Sequence, residues 1–598
     1  MKRANVAGGV IAVVKKGRLI FARGYGFADL KTHAPVIADQ TLFRVGSVSK
    51  LFTWTAVMQL VQAGKLNLDT DVNRYLDFKI PPKFGRPVTL RDLMTMTPGF
   101  AASVKDLVMP TPKQLFPLRR YLIENMPPRI FPPGKILAYS NYGAALAGYI
   151  VQRVSGEPFD EYVESHIFEP LGMRHSTFDQ PLPASLRPDM ATGYITASSG
   201  QVVPFEAVEA APAFAMSSTA TDIARFMIAQ LQNGRYQRAS ILAPATVALM
   251  HSQQYNAAPD INGYCLGFYQ ENRNGLRIIG HGGDTTAFHS DLYLLLDKDV
   301  GLFMAFNSLG KNGAIEKMRR ALFRSFLDRY FPYTPPTKKT VADPKRDAAR
   351  VTGWYLGTRR ENRAPLALAF LFTQTHVTAL PNGIIEISAP LSESGAPRLW
   401  REVGPLDYRL VNGQDHLKFV AASDGRIRYL TSDGNPTELF QRVHGLKQFS
   451  LFTILTTISA VVFIITMLIW IIGAWARYRF RKPMALTPVH WWLRLASRIG
   501  TLLQLAAGTG WLILIAVLAQ QQLNGLTGGI VPTLIVLYIL GVLGVLGGIA
   551  IIIESLWRIA RGPGFLLCRG GEALLGLCAL HGIWAILAYG LASFNTHF

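Results

Sequence analysis

The stretch Phe43-Arg-Val-Gly-Ser-Val-Ser-Lys-Leu-Phe-Thr decides how this chain is read. It sets Ser47 three residues before Lys50, directly ahead of a helical run over Leu51–Gln62 that stops at Gly64. Positions i and i+3 share one face of a helix, so the hydroxyl and the amine can meet. Ser47 falls in the first turn, where unsatisfied N–H groups and the helix dipole favour negative charge. A serine hydroxyl is a poor nucleophile until a base takes its proton. A lysine one turn on can be that base if desolvation and nearby cations lower its pKa. Alone, the spacing is common by chance and fits better with a helix-capping serine and a solvated lysine, so the reading needs more groups.

Two later segments supply them. Pro133-Gly-Lys-Ile-Leu-Ala-Tyr-Ser-Asn-Tyr-Gly carries Tyr139 and Asn141. A phenol can relay a proton between nucleophile and leaving group. A carboxamide can orient a substrate or a lysine by hydrogen bonding. Ile279-Gly-His-Gly-Gly-Asp284 lies late, on or beside a strand. There His281 adds a polar or cationic group, and Gly282 and Gly283 let the backbone approach a ligand closely. Each segment also has a purely structural reading: a packed tyrosine at a helix start, and a tight glycine pair at a strand end beside a surface histidine.

Taken in order, Ser47-x-x-Lys50, Tyr139-x-Asn141 and His281-Gly-Gly283 resemble the serine β-lactamase and penicillin-binding-protein superfamily. The match is closest to the class C β-lactamase-related (CubicO-type) hydrolases, which include esterases, D-amino-acid peptidases and D,D-carboxypeptidases. Gly24-Tyr-Gly-Phe-Ala-Asp, Met58-Gln-Leu-Val-Gln-Ala-Gly-Lys-Leu, Ile167-Phe-Glu-Pro-Leu-Gly-Met and Ser218-Thr-Ala-Thr-Asp-Ile-Ala-Arg-Phe are similar to that family as well. The resemblance covers about residues 5–330. It implies that Ser47 is the acylated nucleophile and that Lys50 and Tyr139 are the proton-transfer pair. It makes Asn141, His281, Gly282 and Gly283 substrate-binding. It implies an oxyanion hole from the backbone N–H groups of Ser47 and Asp284, where losing one donor costs roughly 3–4 kcal/mol. Neither a metal nor an organic cofactor is implied.

The departures bear on substrate choice. His281 stands where many relatives carry the Lys of K-T-G, and a fixed cation there suits an antibiotic carboxylate, so an esterase or peptidase is expected over a true β-lactamase. Met96 and Pro98 in Leu93-Met-Thr-Met-Thr-Pro-Gly replace the His and Ser of the family's L-L-x-H-x-S-G. Ala213-Phe-Ala-Met-Ser-Ser lacks the usual glycines. Both segments are expected to shape loops.

Working outward, the catalytic region (1–333) is expected to be α+β: an antiparallel sheet flanked by helices, with strands at both ends and helices between. A hairpin is read at Val10–Val14, Lys15-Lys-Gly17 and Leu19–Ala22, and further strands at Ile278–Gly280, Leu292–Leu296 and Val300–Ala305. Tyr333-Thr-Pro-Pro-Thr-Lys-Lys-Thr-Val reads as a linker. Over 343–443, Pro381-Asn-Gly and Ser423-Asp-Gly between alternating runs mark hairpins of a small antiparallel β domain. Lacking a cluster of catalytic residue types, it is expected to have a spacer or structural role.

The last part, 449–598, reads as membrane. Phe449–Trp475 carries no charge, and Ile499–Ala519, Ile530–Ile553 and Ala573–Phe594 follow. Between the first and second spans lie Arg477, Arg479, Arg481, Lys482, Arg494 and Arg498. Between the third and fourth lie Arg558, Arg561 and Arg569, whereas Gln520–Asn524 is uncharged. Positive loops stay in the cytoplasm, so the region before Phe449 is expected outside the cytoplasmic (inner) membrane, as the periplasmic domain of a multi-pass protein. Met1-Lys-Arg and Val6–Val14 make a poor export signal, and either the true start is expected upstream or export is expected to depend on the membrane spans. Of the ionisable residues in the spans, Glu554 is expected near the interface and His581 in a hydrogen bond between helices.

The 598 residues carry 61 basic and 39 acidic side chains, for a formal charge of +22. No basic run that would track a phosphate backbone is present, so nucleic acid is excluded as a partner. With 49% hydrophobic and 17% charged residues the chain is not mostly disordered. Cys265, Cys568 and Cys578 show neither disulfide-framework nor zinc spacing. The expected partners are a small-molecule or peptide substrate and a lipid bilayer. The expected function is a membrane-anchored extracytoplasmic serine hydrolase working through an acyl-enzyme. The alternative is a β-lactam or cell-wall-peptide sensor that acylates without efficient turnover. A transporter is disfavoured, because the spans lack the paired charges and broken repeats of a substrate path.

Overall fold

The computed structural model describes residues 1–334, 343–362, 365–388, 396–481, 486–521, 527–561 and 566–596. The linker from residue 335 on, Lys482, and Gln522, Leu523 and Asn524 lie outside the described residues. The chain divides into two units. One comprises Met1–Arg359 with Thr375–Arg442, the other Arg360–Gln374 with Val443–Phe598.

The first unit is built on a seven-stranded antiparallel sheet. Its strands are β1 (Gly8–Lys15), β2 (Arg18–Asp29), β3 (Ala34–Pro35), β4 (Tyr269–Gln270), β5 (Ile278–Asp284), β6 (His289–Leu295) and β7 (Val300–Phe306), in the order β4-β5-β6-β7-β1-β2-β3. Strands from both ends of the catalytic region thus meet, with β1 pairing β7 from Gly9↔Phe306 to Lys15↔Val300. The α+β architecture is as expected. β6 and β7 are buried along their whole length, as a sheet covered on both faces requires. Ile315, Phe323 and Leu327 of the helix Ala314–Tyr330 pack with Ile278, Tyr293, Leu302 and Met304 on one face. The helix Ala220–Leu231 covers the other, where Met227 lies against Gly301.

Helix α1 (Ser49–Gln62) is buried at every position from Ser49 to Met58. A helix apolar all round belongs to a core, not a surface. It is entered through a 3-10 turn at Gly46–Val48.

The segment read as a small β domain closes into an eight-stranded antiparallel barrel. Its first strand, Gly353–Gly357, pairs with its last, Phe440–Arg442. The Asn-Gly and Asp-Gly turns join Thr375–Ala379 to Ile385–Ile387 and His416–Ala421 to Ile427–Ser432. Tyr355, Val377, Trp400, Tyr408, Phe419 and Leu430 fill it. The barrel docks directly on the catalytic region. Asp415 of the barrel, 7% exposed, pairs with Arg273 (2.8 Å) and Arg324 (3.0 Å) of that region and with Arg398 of the barrel itself (3.4 Å). Asp433 Oδ1 accepts from Asn262 N (2.7 Å), and Gln414 Oε1 from Asn274 N (3.1 Å).

The second unit contains four helices long and apolar enough to cross a membrane: α2 (Phe449–Phe480), α3 (Pro488–Gln521), α4 (Val531–Arg561) and α5 (Leu566–Ala588). The last ends before the expected Phe594, because the chain turns back through Gly590 in the left-handed region. α3 and α4 touch backbone to backbone: a Cβ at Gly500 would lie 2.4 Å from the Gly547 carbonyl oxygen. Gln504 Nε2 donates to the carbonyls of Gly544 and Ala579 (both 3.2 Å), and His581 Nε2 lies 3.1 Å from Thr456 Oγ1, tying α5 to α2. Close glycine contacts and buried polar side chains are what hold helices together in lipid. Glu554 is buried among the helices.

The Asp415 clamp generates a prediction. Burial pushes its carboxyl up, but Arg324, Arg273 and Arg398 more than offset this and lower its pKa below the ordinary 3.8. Its contribution to stability is therefore full above that value and is lost as pH falls through the lowered one. Removing one partner of a buried ion cluster leaves uncompensated charge, at a cost on the order of 3 kcal/mol. Asp415→Asn should lower the thermal midpoint of the solubilised chain at pH 7, and an unchanged midpoint would discount the clamp.

Candidate active site

The chemistry centres on the Lys50 amine, held in the first turn of α1. Its Nζ lies 3.0 Å from Ser47 Oγ, 2.8 Å from Asn141 Oδ1 and 2.8 Å from the Ala213 carbonyl oxygen. Each contact has a local cause. Ser47 sits on the 3-10 turn, which Ser49 pins by donating to the Gly46 carbonyl (2.6 Å) and accepting from Met216 N (3.1 Å). Asn141 opens the helix Asn141–Ser155, capped by Ser140 Oγ accepting from Gly143 N (3.0 Å). The Ala213 carbonyl arrives on a turn fixed by Thr53 Oγ1, which donates to Pro212 O (2.6 Å). That turn can approach because position 148 is glycine: a Cβ there would lie 2.4 Å from the Pro212 ring.

Burial pushes the Lys50 ammonium well below its ordinary pKa, and the Arg359 charge lowers it further. A neutral amine has two hydrogens and one lone pair. The carbonyl and the amide oxygen can only accept, so they take the hydrogens, and the lone pair is left for the Ser47 hydroxyl. This arrangement can draw a proton off the serine.

Tyr139 lies over the same amine, with Lys50 Nζ 4.8 Å from its ring centroid. Burial raises its pKa, and the opposing effects of the Ser47 hydroxyl and Arg359 do not overcome that. Tyr139 is thus a neutral phenol, able to donate a proton, and its hydroxyl is buried with no aligned hydrogen-bond partner. Its loop is fixed by backbone bonds from Ala138 N to Met96 O (2.9 Å) and from Tyr139 N to Thr437 O of the barrel (3.0 Å). Met96, in the segment that departs from the family pattern, therefore supports the Tyr139 loop through its carbonyl.

The third motif lies on β5, with His281↔Leu292 and Gly283↔Ser290 in register. Gly283 runs against the nucleophile turn: a Cβ there would lie 2.0 Å from the Val45 carbonyl oxygen and 2.9 Å from Ser47 N. One at Gly46 would lie 2.6 Å from Asp284 N. Only glycines let these backbones touch, and the contact brings the backbone nitrogens of Ser47 and Asp284 into one neighbourhood. Ser290 Oγ ties β6 to the same turn by donating to Val45 O (2.7 Å). Arg319 donates to Asp284 Oδ1 (2.6 Å) and to Ser290 O (2.7 Å). Burial pushes the Asp284 carboxyl up, but Arg319 and His289 prevail and lower it.

His281 is not the fixed cation of a K-T-G lysine. Burial and the nearby Lys50 push its pKa down to about 3. Its Nδ1–H donates to the Gly282 carbonyl (2.6 Å), and its Nε2 is buried without a partner. Gly282 N donates to the Tyr269 hydroxyl.

Sequence reasoning missed the Ala213 carbonyl, Thr53, Ser49, Ser290, Arg319 and Arg359. A backbone carbonyl leaves no signature in sequence, though Ser49, inside the quoted stretch, was in plain view. A cavity of about 1000 Å³ between the sheet edge and the barrel is lined by residues including Gly282, Asp284, Arg319 and Asp415, but not by Ser47 or Lys50. The Ser47 and Lys50 pair lies apart from that lining. Among the described residues no His, Cys, Asp and Glu group could hold a metal ion.

A family model described as "Beta-lactamase" matches residues 1–325. Among curated proteins, "Putative penicillin-binding protein PbpX" of Bacillus subtilis (strain 168) is 32% identical over 199 residues, 33% of this chain and 47% of that protein. "Protein flp" of Staphylococcus aureus (strain MW2) is 26% identical over 314 residues, 51% of this chain and 61% of that protein. The chain thus spans less than two thirds of these relatives' length. Among solved structures, "Crystal structure of SurE" has a TM-score of 0.53 at 23% identity, covering 74% of this chain and 96% of that one. "Crystal structure of SurE with D-Leu" has a TM-score of 0.51 at 22% identity with the same coverage. Both are likenesses of fold. The motif order that first suggested a kinship is matched over more than half of the 598 residues, and the chain belongs to the beta-lactamase family, whose members are generally serine hydrolases.

Proposed function

We propose that this chain is a membrane-anchored serine hydrolase, working outside the cytoplasmic membrane through an acyl-enzyme on an ester or amide. Its substrates are of the esterase, D-amino-acid-peptidase or D,D-carboxypeptidase type. The observation that carries the proposal is the buried Lys50 amine, hydrogen-bonded at once to Ser47 and Asn141. Ser47 Oγ attacks the carbonyl as its proton passes to the Lys50 lone pair. The N–H groups of Ser47 and Asp284 receive the developing oxyanion. The Tyr139 phenol gives its proton to the leaving group and regains one from Lys50. In deacylation a water attacks the ester carbon, loses its proton to the same pair, and Ser47 is restored. Asn141 orients lysine and substrate, and Gly282 and Gly283 let the substrate lie along β5.

The four apolar helices support anchoring in a bilayer, and the arginines of the first and third connecting loops support an outer location for the catalytic unit. The penicillin-binding description of the Bacillus relative supports reactivity toward D-alanyl peptides and their mimics.

A fluorophosphonate, a fluorescent penicillin, p-nitrophenyl esters, D-Ala peptides and nitrocefin, each tried on wild type and Ser47→Ala, test this. Fast Ser47-dependent labelling with release of product is expected. Stable labelling without release would move the reading to a slow-acylating sensor, and no Ser47-dependent labelling would end both. Lys50→Met should cut the acylation rate by about 10²–10⁴-fold. The wild-type rate should fall as pH drops through the lowered Lys50 pKa, because only the neutral amine accepts the proton. His281 stays neutral above its value of about 3. A limb near pH 6.5 that vanishes in His281→Asn would contradict this assignment.

A further inference from the structure

Where α2, α3 and α4 end together, two arginines lie among the helices with no carboxylate paired to them among the described residues. Three contacts fix an antiparallel register between α3 and α4. Gly500 lies against Gly547, Gln504 Nε2 donates to the Gly544 carbonyl (3.2 Å), and the His490 ring is 3.9 Å from the Trp557 ring. That register sets Arg494 level with Glu554. Arg498 lies one turn further along the same face of α3, and its guanidinium carbon is 5.2 Å from the centroid of the Trp470 ring of α2. Arg477 of α2 and Arg558 of α4 stand within electrostatic reach of both. Four guanidinium groups from three helices thus share one end of the bundle.

Their surroundings separate these two from the other arginines nearby. Arg479, Arg481 and Arg561 are exposed, as cations that snorkel to water are. Arg558 is paired with Glu572 of α5. Arg494 Nε, with Arg498 Nε and Nη2, is instead buried without a hydrogen-bond partner, and so is His490 Nε2. The carboxylates beside them are Glu572 and Glu554, the latter itself buried. Four guanidinium groups therefore face two carboxylates, which leaves an excess of positive charge. The bilayer offers no water to satisfy such groups. The depth matches a lipid headgroup: Trp491 and Trp492 lie within a turn of Arg494, Trp475 lies within a turn of Arg477, and all three are exposed. Tryptophans gather at the membrane–water interface.

We propose that this cluster binds the phosphodiester of an anionic phospholipid headgroup, with Arg494 and Arg498 as its main donors. A phosphate accepts the paired N–H groups of a guanidinium fork, and its charge offsets the excess of the cluster. Basic pockets between membrane spans suit such headgroups. A zwitterionic lipid presents the same phosphate, but its ammonium brings a charge that the cluster repels, so lipids of net negative charge are selected. The bound lipid ties α2, α3 and α4 at the end where like charges push them apart. The site is independent of the chemistry at Ser47 and rests on the four helices lying in a bilayer.

The test titrates the full-length protein, solubilised in a neutral detergent, with phosphatidylglycerol and with phosphatidylcholine, and reads bound lipid by native mass spectrometry. Phosphatidylglycerol should bind at least about tenfold tighter, the scale of a hydrogen bond to a charged group. Arg494→Gln combined with Arg498→Gln should remove that preference and leave phosphatidylcholine binding unchanged. Arg479→Gln combined with Arg481→Gln, the same loss of charge on exposed side chains, should keep it. Arg498→Lys, which retains the charge but not the fork, should keep part of it. Equal binding of the two lipids by the wild type, or equal loss of preference in the two double variants, would overturn the site. Competition by inorganic phosphate at matched concentration separates the two sources of the ligand. Phosphatidylglycerol that stays bound supports the lipid, and its displacement would hand the site to free phosphate and overturn the proposal. Extraction of the chain from membranes by alkaline carbonate without detergent would end the anchoring and the site together, whereas detergent-dependent extraction without lipid preference ends only the site.

Discussion

The catalytic unit turns on one amine taken out of water. An ammonium at Lys50 would be buried with no carboxylate in hydrogen-bond reach among the described residues, which desolvation penalises heavily. The neutral amine fits its three oxygen neighbours, with hydrogens for Asn141 and Ala213 and a lone pair for Ser47. The surroundings follow from that need. α1 is buried all round because its first turn must lie inside the protein. Gly148 is small so that the Pro212 turn can bring a carbonyl to the amine. Gly283 and Gly46 are bare so that β5 can close on the nucleophile turn. Keeping a lysine amine in contact with a serine hydroxyl is thus a packing problem first and an electrostatic one second.

The barrel takes part in this packing. Its edge supplies the Thr437 carbonyl that receives Tyr139 N, and Thr358 fastens the Tyr139 loop from the other side. The arginine cluster around Asp415 and the bonds to Asn262 and Asn274 hold the barrel elsewhere along the catalytic region. The position of the phenol therefore depends on a domain more than two hundred residues further along the chain. A closed barrel suits the task, since it has no free edge to fray and its rim loops are held by strands that pair all the way round.

The four-helix unit follows the rules of lipid. Apolar side chains gain little from one another there, so helices are joined where backbones can touch and where a polar group has no water to turn to. Gly500 against Gly547, Gln504 bridging two carbonyls, and His581 beside Thr456 are those joints. The charges along the connecting loops bear on sidedness, while these internal contacts bear only on how the helices hold together.

Much of this was legible in the residues. The hairpins, the spans and the α+β class follow from periodicity and turn chemistry, which are local. The candidate nucleophile and base were legible because one helical turn is enough to bring residues i and i+3 together. Tyr139, Asn141 and the His281 glycines could be tied to them only by resemblance, since no local rule links residues ninety or more positions apart. The tertiary structure decided the rest. Whether Lys50 is charged, whether His281 is a cation and whether a barrel arginine lies over the Tyr139 ring depend on burial and on long-range contact. A sequence names the ionisable groups, but their charge is set by the solvent and neighbours they meet, and only the folded chain determines those.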